Sequence, residues 1–131
     1  MTTDGKPTVL IVDDVDGFRE TLSLELSDRG YTVHEAANST EAMQVVGTHT
    51  LMFVVLDLRL LGEDGHDLIP QIKEAQPEAR IVVLTGYGSV PSAVHALRMG
   101  ASNYLTKPVQ IERLEHALWS DDPDPQEVVA P

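Results

Sequence analysis

The chain has 131 residues, of which 42% are hydrophobic and 23% are charged, a composition typical of one folded domain with a buried core. Its net charge of −12 argues against direct nucleic-acid binding by this chain, because such binding rewards a basic surface. It has no cysteine, no apolar run approaching the roughly 18 residues of a membrane helix, and no signal-peptide pattern at its start, so we expect a cytoplasmic protein without membrane contact.

The apolar pattern predicts five strands that alternate with five helices. Short continuous apolar runs are typical of strands buried on both faces, whereas apolar residues three or four apart are typical of amphipathic helices. In chain order, the predicted strands are residues 8–12, 31–35, 51–56, 80–84 and 102–105. The helices between and after them are expected to bury Phe18, Leu22 and Leu26; Ala42, Val45 and Val46; Leu68, Ile69 and Ile72; Val90, Val94 and Leu97; and Ile111, Leu114 and Leu118.

Polar residues and glycines predict where these helices begin and end. Asp16, Asn38 and Ser89 are candidate caps of the first, second and fourth helices, because short polar side chains accept hydrogen bonds from first-turn N–H groups. Gly47 is expected to close the second helix. A turn is predicted at residues 62–65, where two glycines flank two acidic residues.

The order of these elements predicts an α/β fold. We expect a flavodoxin-like, doubly wound (βα)5 domain with a five-stranded parallel sheet in the order 2-1-3-4-5, spanning residues 7–120. Residues 1–6 are expected to be disordered, and the acidic, proline-containing residues 121–131 to form a tail or the start of a linker. In such a sheet, ligands bind beyond the carboxyl ends of strands 1 and 3, where the strand order reverses.

Three carboxylates are predicted to meet at that point. Asp13 and Asp14 follow the first strand, and Asp57 follows the third. Two like charges about 5 Å apart repel by roughly 3 kcal/mol at an effective dielectric constant of about 20, so either one carboxyl stays protonated or a cation joins them. Mg²⁺ suits the set, because it prefers oxygen ligands and leaves positions for phosphate oxygens.

Two further side chains are expected at the same edge. Thr85 at the end of the fourth strand supplies a hydroxyl, and Lys107 after the fifth strand supplies an ammonium group. Together with a metal and carboxylates, these groups are typical of a phosphoryl-transfer site. Since no serine, cysteine or histidine stands at a strand end, the nucleophile would be an aspartate, and Asp57 is the best placed. Each residue alone is compatible with an ordinary turn, cap or solvated charge; their joint position favours a site.

Four short motifs stand at the ends of the predicted strands. They are Val12-Asp13-Asp14, Asp57 with Gly65 eight positions on, Leu84-Thr85-Gly86, and Tyr104-Leu105-Thr106-Lys107-Pro108. Each motif is weak by itself. In this order and at these spacings, residues 7–119 resemble the response-regulator receiver domain (CheY-like) of bacterial two-component systems.

This resemblance implies a Mg²⁺-dependent phosphoacceptor. Asp57 would accept a phosphoryl group from the phosphohistidine of a histidine kinase or a phosphotransfer protein. Asp14, Asp57 and the backbone carbonyl of Arg59 would bind Mg²⁺, with Asp13 acting mainly through a bound water. The protein would be a signalling domain rather than an enzyme, with at most self-phosphorylation from small donors and slow self-dephosphorylation.

The resemblance also implies a conformational switch. Thr85 and Lys107 would hold the phosphoryl oxygens, and Tyr104 would turn inward when Thr85 moves toward the phosphoryl group. The Lys107–Pro108 bond would be cis, which proline permits at low cost. The switched surface would be the face formed by the fourth helix, the fifth strand and the fifth helix.

The same face is the expected site of a homodimer contact. Its exposed candidates are His95, Arg98 and Arg113. The core candidates beneath it are Val90, Val94, Leu97, Ile111 and Leu118. The output is left open between transcription, through a C-terminal DNA-binding domain as in the redox-responsive regulators that residues 57–60 and 84–88 resemble, and protein contact by a stand-alone receiver.

Several residues depart from the family pattern. Leu61 stands where the family often has proline, and Gly86 replaces a commoner alanine. Arg59 and Tyr87 occupy the positions two residues after Asp57 and Thr85, where family members tune the lifetime of the phosphoryl group. A bulky pair there would impede the attacking water, so we expect a phosphorylated state that lasts minutes or more.

Two other interpretations use the same residues. A haloacid-dehalogenase-like phosphatase also has a strand-end aspartate, Thr, Lys and Mg²⁺, but it requires an acid two residues after the nucleophile, where this chain has Arg59. A receiver-like domain that is never phosphorylated is the second, and the full set of site residue types argues against it. The five histidines, at positions 34, 49, 66, 95 and 116, lack metal-ligand spacing and are expected at the surface.

Overall fold

The computed structural model describes residues 5–120, in which five parallel strands form one sheet. The described strands are β1 (Thr8–Val12), β2 (Thr32–Ala36), β3 (Phe53–Leu56), β4 (Arg59–Leu60), β5 (Glu63–Asp64), β6 (Arg80–Thr85) and β7 (Asn103–Thr106). The sheet order is β2-β1-β3-β6-β7, with every neighbouring pair parallel. Because β6 and β7 are the predicted fourth and fifth strands, this order confirms the predicted 2-1-3-4-5.

Five helices cover the two faces of the sheet. They are α1 (Asp16–Asp28), α2 (Ser39–Thr48), α3 (Leu68–Ala75), α4 (Val90–Met99) and α5 (Ile111–Trp119). Side chains alternate along each strand, so that Val54 and Leu56 join the core under α2, α3 and α4, whereas Phe53 and Val55 join the core under α1 and α5. The flavodoxin-like α/β prediction is therefore confirmed.

The boundaries of the domain prediction fall largely outside the described part of the chain. The predicted tail, residues 121–131, lies outside the described residues, as do residues 1–4 of the predicted disordered start. Within residues 5–120, no helix has the length and apolar character needed to cross a membrane.

Two of the predicted helix caps are present. The side chain of Asn38 accepts a hydrogen bond from the N–H of Glu41 at 2.9 Å, at the start of α2. The hydroxyl of Ser89 accepts one from the N–H of Ser92 at 3.2 Å, at the start of α4. Both contacts satisfy donors that the first turn of a helix leaves unpaired.

Two other boundary predictions are wrong. Asp16 is not a cap but the first residue of α1, which follows Val15 and has no side-chain capping bond. Instead, the carboxylate of Asp13 accepts the N–H of Val15 at 2.8 Å. The residue that stabilises the turn before α1 is therefore the one that follows β1. Gly47 does not end α2, which continues through Thr48, because a helix tolerates a single glycine at a modest cost.

The predicted core face of α4 is also wrong in part. Val90 and Val94 are 46% and 41% exposed, and Ala93 and Ala96 are the buried residues of this helix. Leu97 packs against the core from a partly buried position. Residues 90 and 94 have the same spacing as residues 93 and 97, so periodicity alone does not distinguish the two stripes. The consequence is a pair of exposed valines on the expected output face.

The predicted turn at residues 62–65 is part of a short antiparallel hairpin. Arg59 pairs with Asp64 and Leu60 with Glu63, and Leu61 and Gly62 form the tip. Gly62 has φ of 74°, a left-handed conformation that glycine adopts without strain. The tip is open to solvent, since Leu61 is 89% exposed.

Hydrogen bonds anchor this hairpin to the start of α2. The carboxylate of Glu63 accepts hydrogen bonds from the N–H and the hydroxyl of Ser39, at 3.1 and 2.5 Å, at the start of α2. The N–H of Gly65 donates to the carbonyl of Leu58 at 2.7 Å. The segment directly after Asp57 is therefore held in place rather than being an unanchored loop.

Candidate functional site

The carboxyl ends of β1 and β3 bring three aspartates together. Val12 and Leu56 are register partners, so Asp13 and Asp57, which follow them, lie side by side at the edge of the sheet. Asp13 is 2% exposed and Asp57 5% exposed, and Asp14 is half-buried. One carboxylate oxygen from each of the three lies within 4.8 Å of the others. This all-oxygen set fits a hard divalent cation.

Lys107 approaches the same cluster from the end of β7. Its Nζ donates to Oδ2 of Asp13 at 2.7 Å and to Oδ2 of Asp57 at 2.9 Å. The ammonium group also lies 4.1 Å from the centre of the Phe18 ring, within the range of a cation–π contact. Lys107 thus supplies one positive charge to a cluster of three carboxyl groups.

Burial and the neighbouring hydrogen-bonded charges shift the pKa values of this cluster in opposite directions. Burial raises the pKa of Asp13, and the hydrogen bonds from Lys107 and from the N–H of Val15 offset only part of this, so the pKa lies above the ordinary 3.8. Burial lowers the pKa of Lys107, but its bonds to Asp13 and Asp57 outweigh that effect, so the pKa lies above the ordinary 10.5. The ammonium group therefore stays charged, and a divalent cation would relieve the remaining carboxylate repulsion.

Thr85 lies at the end of β6, as predicted, and is fully buried. Its Oγ1 accepts the N–H of Tyr87 at 3.3 Å, and its carbonyl accepts the N–H of Lys107 at 2.8 Å. The second of these bonds ties the end of β6 to the residue that carries the ammonium group. The Lys107–Pro108 bond is cis, as the resemblance implied.

A cleft of about 920 Å³ opens in front of the cluster. Asp14, Asp57, Lys107, Arg59 and Tyr87 are among the residues that line it. The Arg59 guanidinium lies 4.0 Å from the centre of the Tyr87 ring, which is a cation–π contact between two residues that line the cleft. The N–H of Arg59 also donates to Oδ1 of Asp57 at 3.1 Å.

Tyr104 is buried beneath α4, with 1% of its surface exposed. Its hydroxyl donates to Oγ of Ser92 at 3.0 Å. A Cβ added at Gly88 would overlap the methyl group of Thr106 and lie 3.5 Å from Cε1 of Tyr104. The close approach at Gly88 is therefore to Thr106, whereas the distance to Tyr104 is that of an ordinary van der Waals contact.

Some residues around the site were not predicted from the sequence. Arg19 of α1 donates to the carbonyl of Asp13 at 2.7 Å and forms ion pairs with Asp16 and Glu35. The three-residue spacing of Asp16 and Arg19 was the available signal, and it indicates only a helix surface pair. The prediction that all histidines lie at the surface is wrong for His66, whose side chain is 14% exposed.

Comparison with known proteins assigns the chain to a family. The family model described as "Response regulator receiver domain" matches residues 9–119. The photosynthetic apparatus regulatory protein RegA of Cereibacter sphaeroides is 36% identical over 111 residues, which are 85% of this chain and 60% of RegA. The transcriptional regulatory protein GlrR of Escherichia coli is 36% identical over 110 residues, 84% of this chain and 25% of GlrR. The chain thus spans about 60% of the length of RegA.

Solved structures give the same assignment. A response regulator of Burkholderia pseudomallei, solved with a phosphorylated aspartic acid, a calcium ion and citrate, superimposes with a TM-score of 0.86 at 41% identity, covering 88% of this chain and 68% of that one. The beryllofluoride-activated receiver domain dimer of NtrC4 superimposes with a TM-score of 0.78 at 36% identity, covering 85% of this chain and 95% of that one.

Proposed function

The chain belongs to the response regulator receiver domain family, and from this premise we propose that its Asp57 is the phosphoacceptor of a bacterial two-component system. The donor would be the phosphohistidine of a histidine kinase or of a phosphotransfer protein. One observation carries the proposal: the buried Asp57 carboxylate shares Lys107 with Asp13 and lies within an oxygen cluster that fits a divalent cation. A two-component receiver of this kind would act in the cytoplasm.

The metal in this proposal is Mg²⁺. Asp14, Asp57 and the carbonyl of Arg59 would hold it, and Asp13 would act through a bound water. When bound, Mg²⁺ supplies positive charge that offsets the charge of the transferring phosphoryl group. The calcium ion in the B. pseudomallei structure supports a divalent site in this family, and the all-oxygen donor set supports Mg²⁺ here.

The chain's own residues would prepare the transfer. An oxygen of Asp57 attacks phosphorus while the phosphorus–nitrogen bond to the donor imidazole breaks, so the imidazole leaves with the electron pair of that bond. Lys107, whose Nζ lies 2.9 Å from Oδ2 of Asp57, would donate to a phosphoryl oxygen. The Thr85 hydroxyl would release the N–H of Tyr87 and donate to another phosphoryl oxygen.

The pair Arg59 and Tyr87 would set how long the phosphoryl group survives. They form a cation–π contact and line the cleft through which water would reach phosphorus. Hydrolysis needs a water opposite the bond to Asp57, and a bulky pair at this place obstructs it. We expect the phosphorylated state to last minutes or more, with slow self-dephosphorylation and no turnover of unrelated phosphate esters.

The output would pass through the face formed by α4, β7 and α5. Val90 and Val94 are exposed there, with His95 and Arg98 beside them, which supports a homodimer contact on this face. The NtrC4 receiver dimer shows that a related receiver dimerises. Because RegA and GlrR are longer than the matched region, transcriptional output through a further domain and output by protein contact alone are both compatible with this face.

The test is phosphorylation by a small donor. The purified chain is incubated with acetyl phosphate and Mg²⁺, and its intact mass is followed beside Asp57→Asn and beside a sample containing excess chelator. We expect one phosphoryl group on the wild-type protein only, and only with the metal. Equal labelling of Asp57→Asn, or no labelling of the wild type by acetyl phosphate or a phosphorylated histidine kinase, would overturn the proposal.

A further inference from the structure

A chain of hydrogen bonds connects Tyr104 to the hairpin that follows Asp57. The hydroxyl of Tyr104 lies 3.0 Å from Oγ of Ser92 on α4. That oxygen lies 3.2 Å from Nε2 of His66, and Nδ1 of His66 lies 2.7 Å from Oδ1 of Asp64. Asp64 pairs with Arg59 in the hairpin. Three side chains thus bridge the buried tyrosine and the segment next to the phosphoacceptor.

The hydrogen bonds that link Tyr104 to Asp64 can all run in one direction, with each group donating toward Asp64. Burial raises the pKa of Asp64, but the hydrogen bonds from the N–H and ring of His66 outweigh it, so the pKa lies below the ordinary 3.8 and the carboxylate is an acceptor only. In the tautomer with the ring proton on Nδ1, His66 donates to Asp64 and its Nε2 can accept from the hydroxyl of Ser92; Nε2 also lies 3.3 Å from the carbonyl oxygen of Ser92. The hydroxyl oxygen of Ser92 in turn accepts from Tyr104 at 3.0 Å.

The residues of this hydrogen-bond chain also share a cavity with residues of the candidate site. Thr85, Arg59, His66 and Ser92 line one cavity of about 320 Å³ between the hairpin and α4. Thr85 reaches this cavity from β6, whereas His66 reaches it from the turn after the hairpin. A change at the hairpin can therefore reach Tyr104 by a path that does not include Thr85.

We propose that Ser92 and His66 are positioning residues that hold Tyr104 in its buried position and join it to the hairpin beside Asp57. The regulatory meaning of this role rests on the proposed function, because it makes the hydrogen-bond chain part of the switch. Apolar packing around the ring stabilises the same position, but packing does not distinguish Ser92 from alanine as the hydrogen bond does. The hydroxyl of Ser92 and the ring of His66 are therefore the groups to remove.

The experiment follows the environment of Tyr104 by fluorine NMR. The protein is labelled with 3-fluorotyrosine, and the three tyrosine signals are assigned with Tyr31→Phe, Tyr87→Phe and Tyr104→Phe variants. All spectra are recorded on unphosphorylated protein without metal. The net free energy of an average hydrogen bond corresponds to about a fivefold change in the ratio of the buried and exposed populations of a side chain.

Four variants separate positioning from general packing. Ser92→Ala removes the shared hydroxyl, and His66→Asn keeps an amide near Asp64 but is too short to reach Ser92. We expect each to raise the solvent-exposed population of Tyr104 by about fivefold. Ser92→Thr keeps a hydroxyl and should restore the wild-type signal. Ser23→Ala, a half-buried helical serine on α1, is the matched control and should leave Tyr104 unchanged.

The outcomes distinguish this proposal from the proposed function. An unchanged Tyr104 signal in both folded Ser92→Ala and His66→Asn would overturn the hydrogen-bond role, whatever happens at Asp57. If either variant unfolds, the other decides, together with Ser92→Thr. A wild-type protein that shows the expected shifts but takes no phosphoryl group from acetyl phosphate or a kinase would retain the hydrogen-bond chain and lose its regulatory meaning.

Discussion

Gly65 offers the sharpest test of how closely the segment after Asp57 is packed. A Cβ added at this residue would lie 2.5 Å from the carbonyl oxygen of Asp57 and 2.8 Å from Cα of Leu58. Carbon atoms in contact prefer separations of about 3.5 to 4.0 Å, so the overlap is about 1 Å and involves main-chain atoms on both sides. No side-chain rotation relieves it, and the backbone of Gly65 or of β3's end must move.

That backbone is held by hydrogen bonds on both sides of the overlap. The N–H of Asp57 donates to the carbonyl of Val12 at 2.9 Å, and the N–H of Gly65 donates to the carbonyl of Leu58 at 2.7 Å. Overpacking of a well-packed region costs typically 1 to 3 kcal/mol, and we expect Gly65→Ala to fall at the upper end, about 2 to 3 kcal/mol. This is a large share of the roughly 5 to 15 kcal/mol by which small domains are stable.

Gly47 is the matched control. It lies inside α2, and a Cβ added there meets no atom within 4 Å. Alanine is the better helix former, so Gly47→Ala should stabilise the fold by about 0.5 to 1 kcal/mol. The same substitution is thus expected to have opposite signs at two glycines.

The assay is equilibrium unfolding in urea. Trp119 is the single tryptophan and packs edge-on against Phe53 with ring centres 5.0 Å apart, so its fluorescence reports the fold. Circular dichroism gives an independent signal for the same transition. A Gly65→Ala variant within about 0.5 kcal/mol of wild type would refute the packing argument, since such a change is typical of an open surface position.

Three further predictions concern the charges and the cleft. Lys107→Met should lose about 2 to 4 kcal/mol of stability in chelator and regain part of it in excess Mg²⁺, whereas equal loss in both would contradict a cation site. Arg59→Ala and Tyr87→Ala should each shorten the phosphoryl lifetime severalfold by intact mass, and an unchanged lifetime would exclude their shielding role. Burial, and then His49, lowers the pKa of His34 below its ordinary 6.5, so the unfolded chain binds that proton more readily. Stability should therefore fall as the pH drops below about 6.5, and unfolding curves of His34→Gln should show a smaller fall; an unchanged fall would contradict the assignment.

The sheet and the aspartate cluster were predictable because each follows from a short-range rule. Continuous apolar runs identify buried parallel strands, and the ends of neighbouring parallel strands share one edge. Asp13, Asp57 and Thr85 are each the last residue of a strand or the residue after it, so the strand boundaries alone place them. Lys107 follows from the same rule, one residue beyond β7.

The residues that were not predicted depend on contacts between distant loops. His66 and Ser92 are 26 positions apart, and neither lies on a periodic face that sequence spacing would link. The choice between Val90 with Val94 and Ala93 with Ala96 depends on how α4 rotates against the sheet, which spacing does not determine. The hairpin after Asp57 depends on the pairing of Arg59 with Asp64. A turn prediction does not specify which residues pair, so the hairpin was not predicted.

The position of Lys107 would let one cation serve the site before and after the proposed phosphoryl transfer. Before transfer, its ammonium group bonds to Asp13 and Asp57, at 2.7 and 2.9 Å, and lies over the Phe18 ring. A phosphoryl group on Asp57 would replace a carboxylate of charge −1 by an anion of charge about −1.5 to −2. An ammonium group is compact and has three donors about a rotatable stem, so it can follow that change without leaving the ring. The charge of the site would then change by exchange of the anion that Lys107 contacts, and Lys107 itself would stay paired in either state.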